Sequence, residues 1–128
     1  CNSRGQAKIL AVTILTSIDD LTARSVYGVG PRDGVARLAR IAASAGADGV
    51  VCSPEELGLF EAKELSQLIR VTPGIRPAGY GKSDDQSRVL TPQDAITRGA
   101  TLLVVGRPIT GESDPRAAAS AIEKSIQS

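Results

Sequence analysis

The sequence predicts an α/β fold in which parallel strands alternate with helices, and three observations lead to this prediction. Short runs of apolar and β-branched residues recur along the chain, segments with helical apolar spacing lie between them, and capping residues mark the boundaries in a repeated way. The runs lack the in-and-out alternation of a half-exposed strand, so we expect strands covered on both faces, as in a parallel sheet. The 128 residues are interpreted as a single segment, 1–128, without an internal domain boundary.

Four strands are predicted in order along the chain, at residues 8–15, 49–53, 68–75 and 101–106. Apolar residues fall on one helical face over 33–45, between the first two strands, and again over 115–126, after the last one. The stretches 45–53 and 98–106 repeat the same order of helix end, loop and strand. This repetition indicates at least two copies of one βα unit.

Helix boundaries carry the same signals at several places. Three pairs of capping residue and proline begin predicted helices: Ser53 with Pro54, Thr91 with Pro92, and Asp114 with Pro115. Gly46 and Gly99 end predicted helices, because glycine readily adopts the left-handed conformation found there. Such a chain builds either a small open sheet of the flavodoxin type or half of an eight-stranded barrel, which normally takes about 250 residues. Composition does not choose between them.

Composition argues against several kinds of partner and cofactor. The net charge is +1 and aromatic residues make up only 2% of the chain, so there is neither a basic patch nor a stacking platform for nucleic acid. No apolar run approaches the roughly 18 residues of a membrane span, so we expect no membrane partner. Histidine is absent and no cysteine cluster has metal-ligand spacing, so we expect no metal. A P-loop and a GxGxxG motif are also absent.

The two cysteines bear on processing and location. The chain starts at Cys1 and contains no methionine, from which we expect a processed or cut chain. Cys52 lies in an apolar run with no histidine to activate it, and is expected to be a buried, inert thiol. Because the two cysteines do not form a disulfide framework, a reducing cytoplasm is the expected location.

Polar residues follow the predicted strands at the points where parallel α/β folds bind ligands. They are Thr16, Arg76, Gln86, Gly106 and Arg107. A single arginine at such a position most often covers the sheet rim in a salt bridge. Arg76 and Arg107, however, both lie close to a glycine and precede a proline. This repetition favours a bound oxyanion, because a guanidinium group holds phosphate through two parallel hydrogen bonds.

A long loop over residues 76–92 separates the third predicted strand from the helix before the fourth. It has no apolar spacing, two glycines and several charges, which predicts a mobile loop. Gln86, near its far end, is placed to fold onto a ligand when the loop closes, and Tyr80 is a second candidate for that contact.

Five motifs in register resemble one known family. In chain order they are "AVTILTS", "GADGVVCS", "VTPGIRP", "DDQSRVLTP" and "GATLLVVGRPIT". With similar gaps, they resemble the C-terminal half of the orotidine 5'-phosphate decarboxylases. The resemblance runs from about Lys8 to the end of the chain.

The resemblance implies a (β/α)8 TIM barrel that forms a homodimer, with this chain supplying strands five to eight. It implies a carboxy-lyase of de novo pyrimidine biosynthesis, which converts orotidine 5'-phosphate to UMP and carbon dioxide without metal or organic cofactor. Thr16 resembles the hydroxyl residue that contacts the pyrimidine, and Arg76 resembles a nucleotide-binding residue. Gln86 corresponds to the closing loop, and Gly106 with Arg107 to the phosphate site.

The chain departs from the family in lacking its catalytic signature, Asp-x-Lys-x-x-Asp. Lys82 and Asp85 do not match it, because the leading acid is missing. The resemblance therefore assigns no catalytic residue to this chain, and it implies that the N-terminal half of the barrel is a partner. Two alternatives stay open: a sugar-phosphate enzyme of the same barrel type, such as hexulose-phosphate synthase, and a non-catalytic half-barrel that binds a phosphorylated ligand. We expect the isolated chain to be inactive.

Overall fold

A computed structural model describes residues 7–80 and 90–127. Within them, four parallel strands form one sheet: β1 Leu10–Val12, β2 Gly49–Val51, β3 Ile69–Thr72 and β4 Leu102–Leu103. Each strand pairs with the next one along the chain, so the sheet order is β1-β2-β3-β4 and the sheet grows in one direction. As a result, β1 and β4 are its two open edges.

Helices connect the strands and also follow the last one. They are α1 Asp20–Tyr27, α2 Pro31–Ser44, a 3₁₀ helix Pro54–Glu61, α3 Pro92–Thr97, α4 Arg107–Thr110 and α5 Pro115–Gln127. The helices predicted over 33–45 and 115–126 are confirmed as α2 and α5. The four predicted strands are confirmed in place, but each is shorter than its apolar run. The runs continue beyond the last sheet hydrogen bonds into the loops that follow.

The predicted helix boundaries are confirmed in detail. The three capping side chains accept backbone N–H groups: Ser53 from Glu55, Thr91 from Asp94 and Asp114 from Ala117. Gly46 has φ 78° and Gly99 has φ 99°, both in the left-handed region. Each of these signals depends on residues within a few positions along the chain.

One face of the sheet packs against the helices and forms the core. The largest fully buried side chains there include Phe60, Leu57, Leu65, Ile75, Val35 and Val50. Cys52 is part of this cluster and only 1% exposed. Burial, with Glu56 as a second cause, raises the pKa of Cys52 to about 12. The predicted burial of Cys52 is therefore confirmed, and its low reactivity stays a prediction.

The opposite face of the sheet is apolar and uncovered along both edge strands. Ala11 on β1 and Leu103 on β4 pack against the core, so their neighbours point the other way. These neighbours are Leu10 (38% exposed) and Val12 (60%) on β1, Leu102 (52%) on β4, and Val104 (48%) directly after β4. Half of a barrel would show the same feature, since this face would line the barrel interior.

Candidate functional site

The predicted site residues that the structure describes lie at one edge of the sheet. Parallel strands end at the same edge, and the chain segments that follow them form a rim. Thr16 follows β1, Arg76 follows β3, and Gly106 with Arg107 follows β4. The predicted residue Gln86 lies outside the described residues.

Thr16 is an exposed residue of a turn beyond β1. The turn is closed by the backbone N–H of Ile18, which donates to the Leu15 carbonyl at 3.0 Å. Thr16 is exposed at the rim and is not part of the core.

Ser53 lies at the same edge of the sheet, two residues after β2. Its side chain is buried, and its hydroxyl accepts the Glu55 N–H at 3.3 Å. Ser53 was predicted only as a helix cap, and its place on the rim was not predicted. The signal that would have found it is that Ser53 ends the predicted strand 49–53, just as Arg76 and Arg107 directly follow the predicted strands 68–75 and 101–106.

Arg76 is held by the backbone beyond β3. Gly74, at φ 78°, turns the chain in the left-handed region, and Ile75 then forms a parallel bridge with Leu90. The Arg76 N–H donates to the Leu90 carbonyl at 3.1 Å. The main chain of Arg76 is thus anchored through its N–H, while its side chain is half-buried at the rim.

Arg107 opens the short helix α4, directly after Gly106. The Gly106 carbonyl accepts N–H groups from Ile109 at 2.8 Å and Thr110 at 3.1 Å, which fixes the start of the helix. A Cβ added at Gly106 would meet no atom within 4 Å, and the residue is exposed. The backbone here is accessible to a ligand.

Neither rim arginine forms an ion pair with another described residue. The ion pairs seen among the described residues include Lys8–Asp48, Arg24–Asp20 and Arg40–Glu64. The plainest alternative for Arg76 and Arg107, salt bridges covering the rim, is therefore not observed among these residues. Two guanidinium groups that follow adjacent strands therefore have no acidic partner among residues 7–80 and 90–127.

Tyr80 does not present its hydroxyl freely to the rim. The hydroxyl donates to the backbone carbonyl of Arg107 at 2.9 Å, across 27 residues of sequence. Tyr80 was predicted as a second candidate for ligand contact, whereas its hydroxyl is used within the protein.

Neither a metal centre nor a membrane span is found in the described part of the chain. No three acidic, histidine or cysteine side chains there come together as a set of metal ligands. The helices over residues 7–80 and 90–127 also lack the combination of length and apolar character that crossing a bilayer requires.

Comparison with known proteins decides the family. Residues 1–122 match the family described as "Orotidine 5'-phosphate decarboxylase / HUMPS family". The chain belongs to this family. The resemblance found from five motifs is therefore confirmed.

Relatives of the family match nearly all of the chain. The orotidine 5'-phosphate decarboxylase of Thermobifida fusca (strain YX) is 47% identical over 123 residues, which cover 95% of this chain and 52% of the relative. That of Halorhodospira halophila is 49% identical over 125 residues, covering 97% of this chain and 52% of the relative. The chain spans about half the length of the curated relatives it matches.

A solved structure of the family confirms the fold. The crystal structure of orotidine 5'-phosphate decarboxylase from Lactobacillus acidophilus is 40% identical to this chain with a TM-score of 0.78. The match covers 100% of this chain and 53% of that one. The open four-stranded parallel sheet is thus half of the family's (β/α)8 barrel, and the flavodoxin-type alternative is wrong.

Proposed function

We propose that this chain is the phosphate- and pyrimidine-binding half of an orotidine 5'-phosphate decarboxylase, which converts orotidine 5'-phosphate to UMP and carbon dioxide. The observation that carries the proposal is the pair of rim arginines, Arg76 and Arg107, which follow adjacent strands and form no ion pair with another described residue. Membership of the family supplies the substrate class.

Each rim residue has a proposed role. Arg76 and Arg107 bind the dianionic phosphate of the nucleotide, since guanidinium groups match phosphate oxygens with paired hydrogen bonds. The accessible backbone at Gly106 lets the phosphate approach closely. The exposed hydroxyl of Thr16 contacts the pyrimidine, and Gln86 completes the contacts to the nucleotide.

The proposed mechanism divides the work between the two halves of the barrel. In the resembled family, charged lysines and aspartates of the N-terminal half stabilise the carbanion formed as carbon dioxide leaves, and a lysine protonates the pyrimidine carbon. None of these groups is proposed for this chain. Its contacts are made remote from the reacting carbon, and their binding energy stabilises the transition state through the phosphate.

The proposed partner is the N-terminal half of the same barrel. Two features of the structure support it: β1 and β4 are open edges, and the apolar side chains Leu10, Val12, Leu102 and Val104 are exposed on the face that would line the barrel. Unpaired edges and exposed apolar faces are costly, and a second half-barrel covers both. The relatives are about twice as long as the matched region, which matches this partner in size.

The decisive experiment uses a completed barrel, in which this chain is joined to the half of the Thermobifida fusca relative that it does not match. We expect this protein to decarboxylate orotidine 5'-phosphate and the 128-residue chain alone to be inactive. Arg107→Ala should lower kcat/KM by about 10- to 100-fold, in line with the roughly 1.5 to 3 kcal/mol of a hydrogen bond to a charged group.

The matched control is Arg98→Ala. Arg98 is also exposed, but it precedes β4 and so lies near the opposite edge of the sheet. Its replacement should leave kcat/KM within about twofold, as for most surface substitutions. A completed barrel that melts cooperatively yet does not decarboxylate the substrate would overturn the proposed function. Equal losses in Arg98→Ala and Arg107→Ala would overturn the role of Arg107.

A second candidate is a sugar-phosphate enzyme such as hexulose-phosphate synthase. The description of the matched family names HUMPS proteins together with the decarboxylases, which supports this alternative. A phosphate-binding site suits both a nucleotide and a sugar phosphate, but only the nucleotide has a pyrimidine that needs a contact. Tighter binding of 6-azauridine 5'-monophosphate than of ribulose 5-phosphate by the completed barrel would favour the decarboxylase, and the reverse order would favour the synthase.

We also propose that the completed protein is a cytoplasmic homodimer. On α1, Leu21 is 79% exposed and Val26 is 67% exposed, which provides apolar surface for a second copy. Sedimentation of the completed barrel tests this, with Leu21→Glu as the variant expected to shift it toward monomer. A monomeric wild type at micromolar concentration would contradict the dimer, and recovery of the native protein outside the cytoplasmic fraction would contradict the location.

A further inference from the structure

The two segments that carry the rim arginines separate beyond the sheet. The last hydrogen bond between them within the ladder runs from the Val104 N–H to the Thr72 carbonyl, at 2.9 Å. Arg76 and Arg107 both lie further along their segments. The sheet alone therefore does not fix the distance between the two guanidinium groups.

Tyr80 rejoins these segments at the rim. Its hydroxyl donates to the Arg107 carbonyl at 2.9 Å, and the same carbonyl accepts the Gly111 N–H at 2.9 Å. The tyrosine is itself held in a turn, in which its N–H donates to the Pro77 carbonyl at 3.1 Å and Gly79 adopts φ 81°. One end of this link is four residues beyond Arg76, and the other is the main chain of Arg107.

Gly111 makes room for the contact. A Cβ at this position would lie 2.9 Å from the Arg107 carbonyl oxygen and 3.4 Å from the Tyr80 hydroxyl. Any side chain there would press on both partners of the hydrogen bond. The close approach of hydroxyl and carbonyl thus depends on the glycine that ends α4.

We propose that Tyr80 is a positioning residue that holds the Arg107 backbone against the Arg76 segment, so that both arginines reach one phosphate group. The inference rests on the proposed function, in which that phosphate belongs to a nucleotide. A ligand held by two guanidinium groups is sensitive to their spacing, because a displacement of about 1 Å weakens directed hydrogen bonds. Tyr80 acts through Arg107 and makes no contact with the ligand itself.

The test uses Tyr80→Phe in the completed barrel, with Tyr27→Phe as the matched control. Tyr27 is the other tyrosine of the chain, half-buried against the core at the end of α1. Isothermal titration with 6-azauridine 5'-monophosphate should show about 3- to 10-fold weaker binding for Tyr80→Phe, the loss expected for one neutral hydrogen bond. The Tyr27→Phe protein should bind like the wild type.

Two further measurements separate positioning from general stability. The nucleoside 6-azauridine, which lacks phosphate, should bind equally well to the wild type and to Tyr80→Phe. A general loss of structure would instead weaken the binding of both the nucleotide and the nucleoside. In an Arg107→Ala background, Tyr80→Phe should cause no additional loss, because its effect passes through Arg107.

The outcomes also separate this inference from the proposed function. If the wild-type completed barrel does not bind the nucleotide, the proposed function fails and the inference fails with it. If Arg107→Ala weakens nucleotide binding but Tyr80→Phe does not, only the role of Tyr80 is overturned. If Tyr80→Phe weakens the binding of nucleotide and nucleoside equally, the positioning role is also overturned, and Tyr80 has a general structural role instead.

Discussion

Replacement of Gly49 by alanine tests the packing that holds the half-barrel together. Gly49 begins β2, between Leu10 of β1 and Ile69 of β3. A Cβ at this position would meet the Ile69 carbonyl oxygen most closely, and would lie 2.7 Å from the Ile69 Cβ and 2.9 Å from the Leu10 Cδ2. Two of these three atoms are main chain or directly attached to it, so a simple change of rotamer cannot relieve the overlap.

The expected magnitude follows from these contacts. Overpacking typically costs about 1 to 3 kcal/mol, and the involvement of both neighbouring strands indicates the upper end. Removing a glycine recovers about 0.4 to 1 kcal/mol by restricting the unfolded chain. We therefore expect Gly49→Ala to lower the free energy of unfolding by roughly 2 kcal/mol, which for a chain of this size lowers Tm by about 6 to 10 °C.

Urea unfolding and calorimetry of the 128-residue chain measure this change. The control is Gly58→Ala in the 3₁₀ helix, where an added Cβ meets no atom within 4 Å and the residue is exposed. Gly58→Ala should be neutral or stabilising by up to about 1 kcal/mol. A free energy of unfolding for Gly49→Ala within about 0.5 kcal/mol of the wild type would refute the reasoning, because such values are typical of unconstrained surface sites.

Three further changes have defined outcomes. Cys52 should resist a thiol reagent at pH 8 until the chain unfolds, because its pKa is raised to about 12 and the side chain is 1% exposed. The Cys52 thiol ionises at lower pH in the unfolded chain than in the folded one. The free energy of unfolding should therefore fall between about pH 9 and pH 12, by up to about 1.4 kcal/mol per pH unit. The same pH dependence in a Cys52→Ala chain would contradict this. Asp114→Ala should destabilise the chain by about 1 kcal/mol in urea unfolding through loss of the α5 cap, whereas Ser120→Ala on the exposed face of α5 should not. In the completed barrel, Arg76→Ala should weaken the binding of 6-azauridine 5'-monophosphate about 10-fold or more and leave the binding of 6-azauridine unchanged. An equal loss of affinity for both ligands would argue against a phosphate contact.

Much of the fold was predictable because the signals are local. The helix starting at Asp114 and the helix ends at Gly46 and Gly99 depend on hydrogen bonds within a few residues, and each is present in the structure. Family motifs added the choice of a half-barrel over an open sheet, which apolar runs alone did not make. Strand lengths were overestimated, because apolar character continues where strand pairing has already ended.

The candidate site was predicted only in part. Arg76 and Arg107 were found because each combines glycine, arginine and proline after an apolar run. Ser53 was missed at the rim, since its capping role explained it fully at the level of sequence. Gln86 lies outside the described residues, so its role stays a prediction.

By itself, the sequence determined the alternation of strands and helices, the capped helix ends and which residues follow the strands, because all of these depend on neighbours along the chain. Tertiary structure alone decided that neither rim arginine pairs with an acid among the described residues, and that the apolar side chains of both edge strands stay exposed. It also decided that Tyr80 bonds the main chain of Arg107, 27 residues away. Such contacts join distant parts of the chain, and only the packed fold sets the distances between them.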